Sequence, residues 1–315
     1  MENYDLIIVG AGGSGLAGGM YAARLGLKTL ILGKTSGSEL PVGGVITTTD
    51  VVENYPGFKS ISGFELAQNL EKHARAYDLV TIKTEEVLDV NKKGNDFMVK
   101  TKKGEYSSKT ILFATGTKWR KLDVPGGIEL ENKGVNYCAL CDAPLYKNKI
   151  VSVVGGSDSA GKDALVLAKH AKKVYIIYRG EKIHPEPANL NKIESSENIE
   201  IINNANVTKV LGDEKVEGVI LDREFNGNKE IRLDAVFVAI GHEILSDLAC
   251  KIGVELNAHK EIIINHKTCE TNVSGVFAAG DVTDKQFKQL ITGVADACTA
   301  AYSAYEYLGK EKVED

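Results

Sequence analysis

Apolar residues occur along this chain in strand-length runs punctuated by glycine, and the order of those runs is the first guide to its fold. Positions 5–9 are a compact apolar run that predicts a strand. The run leads into Gly10-Ala11-Gly12-Gly13-Ser14-Gly15, and a small-residue helical pattern then continues to Leu25, with Gly26 placed to cap it. A second strand is expected at 28–32. The same grammar returns at 150–154, followed by Gly155-Gly156-Ser157-Asp158-Ser159-Ala160, a helix to about His170 and a strand at 174–177. Each is a strand–helix–strand unit, and short connections of this kind imply a parallel sheet.

Between the two units, positions 83–90, 97–101 and 110–114 alternate or run apolar as strands do. After the second unit, short strands are expected at 199–202, 207–210, 217–222 and 229–233, with Asn226-Gly227 as a turn signal between the last two. A strand at 276–279 and a long small-residue helix through 291–307 end the pattern. Two glycine loops beginning at Gly10 and Gly155 have the spacing of domains, not of a solenoid repeat. The fold class is therefore α/β, with two Rossmann-like, three-layer nucleotide-binding domains, the second inserted in the first. The expected boundaries are 1–116 with 243–315 for the discontinuous domain and 119–240 for the inserted one, with crossings within 116–121 and 241–246.

Composition narrows the partners. An apolar content of 43% and a charged content of 26% are those of a soluble globular protein. A net charge of −5 without a basic cluster gives no reason to expect nucleic acid. No apolar run approaches the length of a membrane span, and Glu2 and Asp5 precede the first strand where a signal peptide would be cationic and then apolar. Five cysteines are an odd number, which argues against a secreted disulfide framework and makes a cytoplasmic location the expectation.

The first glycine loop has mechanical reasons for its spacing. Gly10 permits the tight turn, Gly12 lets the backbone approach a pyrophosphate, and Gly15 allows close packing of a helix whose N-terminus faces the anion. Gly33 stands where a ribose-binding acid is expected, so another segment must hold the ribose. The second loop is degraded, because Ser157 replaces the central glycine and adds a side chain where a pyrophosphate would approach. The strand after it ends in Tyr178-Arg179-Gly180, with Lys182 and His184 nearby. An acid there would favour a free ribose 2′-hydroxyl and an arginine cluster a 2′-phosphate; a single Arg179 is neither. The segment either binds a nicotinamide nucleotide or is an inherited fold element. At the far end, a strand runs into Gly280-Asp281, a carboxylate beside a close-approach glycine suited to a ribityl hydroxyl, although an aspartate N-cap would look the same. With the N-terminal loop it argues for FAD.

Cys138-Ala139-Leu140-Cys141-Asp142 carries the remaining chemistry. Two thiols at this spacing make a redox couple or half of a metal site. Cys250, Cys269 and Cys298 are scattered and supply no second pair, so no metal is expected. Asp142 reads as a surface turn residue or as the acid that protonates a leaving thiolate. The scattered histidines read as structural or surface residues.

In this order and over essentially its full length, the chain resembles the low-molecular-weight thioredoxin reductases, FAD-dependent pyridine nucleotide-disulfide oxidoreductases of class II. Positions 43–49, with Gly44 and Val45, and positions 52–58, with Asn54, look like that family's flavin-cradling segment. Ala114-Thr115-Gly116 is similar to its domain-crossing motif, and 137–142 to its redox motif. Positions 237–242, ending in Gly241-His242, together with Gly280-Asp281-Val282 and Lys288-Gln289-Leu290, resemble its closing motifs. The expected cofactor contacts also include Gly13, Ser14, Lys34 and Val87, and in the inserted domain Gly155, Ser157, Asp158, Ser159, Ala160 and Arg179. The resemblance implies a homodimer with FAD, whose nicotinamide domain rotates to bring either the nicotinamide or the CxxC to the flavin. It gives Cys141 to the flavin, Cys138 to the disulfide of thioredoxin or a thioredoxin-like protein, and proton donation to Asp142. Val45 stands where the family commonly has Gln, Ala143-Pro144 follows Asp142, and Ser157 and Tyr178-Arg179-Gly180 depart from its NADPH motifs. NADH or NADPH is therefore expected without a strong NADPH preference. The alternatives are reduced ferredoxin as donor and, in a different class, a flavin-containing redox sensor or binding module.

Overall fold

Strand β1 (Glu2–Val9) contains the first apolar run, and Leu6, Ile7, Ile8 and Val9 are all fully buried in it. Burial of consecutive residues requires cover on both faces of a strand, the condition of a parallel sheet. The computed structural model describes residues 2–34, 42–49 and 51–314, with Lys34 and 310–314 by backbone alone, and shows that arrangement.

Helix α1 (Gly13–Arg24) follows β1 and leads to β2 (Thr29–Lys34). Gly26 lies just past the helix end at φ +85°, where its missing Cβ lets the chain reverse. After a 3₁₀ turn at Gly44–Thr48 comes α2 (Gly63–Arg75), capped by the Ser62 hydroxyl, which accepts from Glu65 N at 3.1 Å. β3 (Val80–Lys93) pairs parallel with β2 along its first half and antiparallel with β4 (Asp96–Thr101) along its second; β5 (Glu105–Phe113) completes that meander and also lies parallel to β1. β3 begins earlier than its apolar alternation suggests, because its first residues are held by β2 and not by a pattern of their own.

The chain passes through β6 (Thr117–Trp119) into a second compact unit, Trp119–Glu243. There, β7 (Val135–Asn136), α3 (Ala139–Asp142), a 3₁₀ turn at Ala143–Tyr146, β8 (Ile150–Val154), α4 (Asp158–Ala168), β9 (Lys173–Ile177), α5 (Pro187–Glu194) and β10 (Ile199–Ile202) follow in order. A meander of β11 (Val207–Leu211), β12 (Gly218–Phe225) and β13 (Asn228–Arg232) precedes β14 (Ala235–Val238). Asn226 and Gly227, at φ 52° and 80°, make the left-handed turn between β12 and β13 that their sequence predicts. The chain returns through β15 (His242–Ile244) and ends with α6 (Asp247–Lys251), β16 (Val276–Ala278) and α7 (Leu290–Glu314).

The first unit, formed by the residues up to Lys118 and those from Ile244 on, has a parallel sheet ordered β3-β2-β1-β5-β16. Its core joins β1, β2 and β5 to β16 and to the small residues of α7, such as Ala297 and Ala301. The second unit has an all-parallel sheet ordered β10-β9-β8-β14-β7 and a separate antiparallel β11-β12-β13 sheet. Alternation along β14 divides its core in two: Val236 and Val238 enter one cluster, Ala235 and Phe237 the other. These are two Rossmann-like units, the second inserted into the first.

Candidate active site

In the first unit, the C-terminal ends of β1, β2, β5 and β16 surround a cleft of about 230 Å³, open at its mouth. The end of a parallel sheet is where doubly wound folds bind their ligands. The glycines of the first loop serve it in different ways. A Cβ on Gly10 would lie 2.2 Å from Ala114 O, and one on Gly15 would lie 1.9 Å from Gly10 O, so both are fixed by the packing of strand, loop and helix. Gly12 differs. Its φ is −74°, and the nearest atom to a Cβ there is Gly43 O at 3.8 Å. The protein itself does not require glycine at this position, which lines the cleft at the cap of α1. Room left beside unpaired helix N-terminal amides is what a pyrophosphate needs.

The expected contacts converge here from distant parts of the chain. Gly10, Gly12, Gly13 and Ser14 supply one wall, and Gly33 the end of β2. Gly44 and Val45 enter from the 3₁₀ turn, joined by Gly43, Ile46 and Thr49. Thr115 and Gly116 come from the end of β5, and Asp281, Lys288, Gln289 and Leu290 from the C-terminal segment. Gly280 stands behind the wall at φ +81°, where a Cβ would meet Ser14 Oγ at 2.7 Å. Asn54 reaches the site through Gln289, donating from Nδ2 to Oε1 at 3.0 Å. Lys288 is held in place by the Glu261 carboxylate and donates to Asp281 O at 2.9 Å. Ala11, Thr117 and Ala279 also line the cleft and carry no motif of their own, although each adjoins a residue that does. Val87 is not brought to the cleft wall: it is fully buried in the core on β3. The side chain of Lys34 lies outside the described residues.

In the second unit, Cys138 and Cys141 form a disulfide with a Cα–Cα distance of 5.3 Å. β7 delivers the chain to Cys138, which caps α3, and its Sγ accepts a hydrogen bond from Cys141 N at 3.1 Å. An N–H aimed at that sulfur favours the charge of a thiolate. Cys141 is exposed and Cys138 half-buried. Asp142 follows directly, also half-buried, and burial pushes its carboxyl above the usual carboxylate range. A carboxyl shifted this way keeps its proton to higher pH, as a general acid must. Cys250, Cys269 and Cys298 are free thiols, and burial pushes Cys269 up to about 12. Among the described residues no group of three or more His, Cys, Asp and Glu could hold a metal ion.

The second glycine loop keeps the backbone of the first. Gly155, at φ +145°, leaves no space for a Cβ, which would lie 2.2 Å from Ala239 O. Ser157 caps α4 at φ −77° without strain, so glycine is not required there by conformation. Asp158 turns its carboxylate inward, accepting from Glu186 N and Asn189 Nδ2, both at 2.8 Å. Ser159 and Arg179 are exposed, Ala160 is buried beneath the loop, and Gly241, at φ +97°, lies beyond the end of β14.

Residues 4–300 match the family described as pyridine nucleotide-disulphide oxidoreductase. The thioredoxin reductase of Treponema pallidum is 36% identical over 308 residues, 97% of each chain. Two solved structures are similar throughout. Thioredoxin reductase of Lactococcus lactis has a TM-score of 0.90 at 31% identity, covering 98% of this chain and 99% of its own. That of T. acidophilum has a TM-score of 0.89 at 36% identity, covering 97% and 99%.

Proposed function

The chain belongs to the pyridine nucleotide-disulphide oxidoreductase family, as a flavin-dependent disulfide reductase of the thioredoxin reductase type, and on that premise we propose how its own residues divide the work. The first unit holds FAD and the second a nicotinamide nucleotide. The vacant Cβ side of Gly12 fits the cofactor's pyrophosphate, Asp281 its ribityl hydroxyls, and the 3₁₀ turn at Gly44–Thr48, together with Asn54 and Gln289, its ring end. Bound there, FAD would supply two-electron chemistry, hydride acceptance from NADH or NADPH and donation of the pair to a disulfide.

The Cys138–Cys141 bond would accept that pair and two protons and become a dithiol, Cys141 being the sulfur that the resemblance assigns to the flavin. Cys138, as thiolate, then attacks the disulfide of thioredoxin or a thioredoxin-like protein. A mixed disulfide forms, and the leaving partner thiolate takes its proton from Asp142. Cys141 attacks Cys138 Sγ, which releases the partner as a dithiol and restores the internal disulfide. The observation that carries this division is the hydrogen bond from Cys141 N to Cys138 Sγ, which stabilises the thiolate on the sulfur assigned to the partner. The same resemblance supports a homodimer, a mass that light scattering reads directly. No described helix is long and apolar enough to cross a membrane. A dithiol that must be kept reduced suits the cytoplasm.

The test is substitution of each sulfur. Cys138→Ser should keep its bound yellow flavin and lose reduction of a thioredoxin disulfide by at least about a thousandfold, since no covalent route remains. Cys141→Ser should also stop turnover, but should trap a mixed disulfide with the partner that Cys138→Ser cannot form. Trapping by Cys138→Ser instead would reverse the assignment, and retained turnover would remove the pair from the mechanism.

A further inference from the structure

β8 and β9 are parallel neighbours, with Val154 opposite Ile177, so Gly155-Gly156 and Tyr178 leave the sheet side by side. In a doubly wound sheet the nucleotide lies across these strand ends. The loop after the first strand meets the pyrophosphate, and the residue ending the second strand meets the adenosine ribose. Tyr178 holds that second position, and its ring does not project away from the loop. A Cβ on Gly156 would lie 2.5 Å from Tyr178 Cγ and Cδ2, and one on Gly180 would lie 2.6 Å from Cε1 and 2.8 Å from Cζ. The ring is therefore wedged between two backbones, one edge on each, and reaches both only because neither residue has a side chain. Neither Gly156 nor Gly180 has a positive φ, so conformation does not demand glycine at either place; the ring does.

The surroundings hold the wedge. Tyr178 N donates to Ile202 O at 2.9 Å, and Tyr178 O accepts from Ala205 N at 3.0 Å. The next segment folds back over the loop: His184 N donates to Gly156 O at 2.8 Å, and Glu186 N to the Asp158 carboxylate at 2.8 Å. The His184 ring packs beside the tyrosine, centroid to centroid 5.7 Å. The ring thus occupies the strand end at which a doubly wound fold meets the adenosine ribose.

We propose that Tyr178 is a steric gate on the adenosine-ribose position of the second unit, so that a nicotinamide nucleotide binds there only when the ring turns out from between Gly156 and Gly180. This rests on the reading that the second unit takes such a nucleotide. The gate lowers the affinity for NADH and NADPH together, since both must bring the adenosine ribose to this position, one with a 2′-hydroxyl and the other with a 2′-phosphate. The ring needs no partner to close the site, and each binding event displaces it at the expense of affinity.

The experiment measures Kd for NAD⁺ and NADP⁺ by calorimetry on the flavin-loaded protein and three variants. Tyr178→Ala removes the ring and should bind both nucleotides about tenfold more tightly, about 1.4 kcal/mol. Gly180→Ala keeps the ring but adds a methyl group that pushes it out, so the same tightening is expected by an independent route. Tyr178→Phe keeps the wedge and should match the wild type. Unchanged or weaker binding by Tyr178→Ala would overturn the gate; weaker binding would make the ring an adenine platform. Bleaching of the flavin by NADH and NADPH is read in the same samples. If Tyr178→Ala binds more tightly yet no protein is bleached, the gate stands and the donor assignment fails.

Discussion

Two glycines of one loop separate folding from binding at the scale of single residues. Gly10 lies at φ +116° against the Ala114 carbonyl, whereas Gly12 has ordinary dihedrals and open space where its side chain would be. Gly10→Ala should therefore destabilise the protein with or without cofactor, by at least about 3 kcal/mol, the upper end of ordinary substitutions. Gly12→Ala should leave the melting temperature of the flavin-free protein where it is and weaken flavin binding at least about tenfold. Thermal melts of stripped protein, with flavin titrated back by fluorescence quenching, distinguish the two. A stripped Gly12→Ala protein that melts well below wild type would show that its role is in packing. The glycine spacing was legible in the sequence because each position serves either backbone packing, as Gly10 and Gly15 do, or room for a ligand, as Gly12 does. The wedge of Tyr178 was not, since it depends on two glycines, Gly156 and Gly180, meeting one ring from either side. Val87 is different in kind: its side chain is fully buried on β3, so only its backbone is left to meet a cofactor.

Elements were legible where local pattern and tertiary setting agree. β14 and the end of β1 are consecutive apolar residues and β8 is broken only by the buried Ser152, because both faces are covered, and the Asn226-Gly227 turn follows from left-handed backbone alone. α3 has only four residues, too few for a helical period, and exists because Cys138 caps it and the 3₁₀ turn at Ala143–Tyr146 continues it. α4 contains a feature that periodicity could not show. Asp163 lies among its apolar residues, and burial alone pushes its carboxyl up to about 7 from 3.8. Below pH 3.8 the folded and unfolded chains both carry the proton; between 3.8 and 7 the unfolded chain loses it and the folded one retains it. The folded state then binds more protons, so stability falls as pH rises through that window and stays lowered above it. Asp163→Asn keeps the shape and removes the ionisation. Its melting temperature should match wild type at pH 4 and exceed it by several degrees at pH 8. An equal gain at both pH values would mean that ionisation of Asp163 plays no part.

On the scale of the whole molecule, the two units have separate cores and are joined by two crossings of the chain. Every residue of the first unit's main core lies between Tyr4 and Ala114 or between Ala249 and Leu308, and every residue of the other unit's two cores lies between Leu122 and Val238. The inserted unit is continuous in sequence, whereas the first must bring together segments more than a hundred residues apart. Cofactor binding therefore acts on the two cores unequally. On the proposed reading, FAD bound in the cleft of the first unit stabilises that unit by RT ln(1 + [L]/Kd), about 4 kcal/mol when free cofactor is a thousandfold above Kd. Calorimetric unfolding of the flavin-loaded protein should show two transitions. Removing the flavin should lower one by several degrees and leave the other in place, and saturating NAD⁺ should raise only the transition that flavin leaves unmoved. Limited proteolysis assigns them, because fragments spanning 119–243 should survive at temperatures between the two. A single transition that shifts as a whole on flavin removal would mean that the units unfold together, and that the separation of their cores does not extend to their stability.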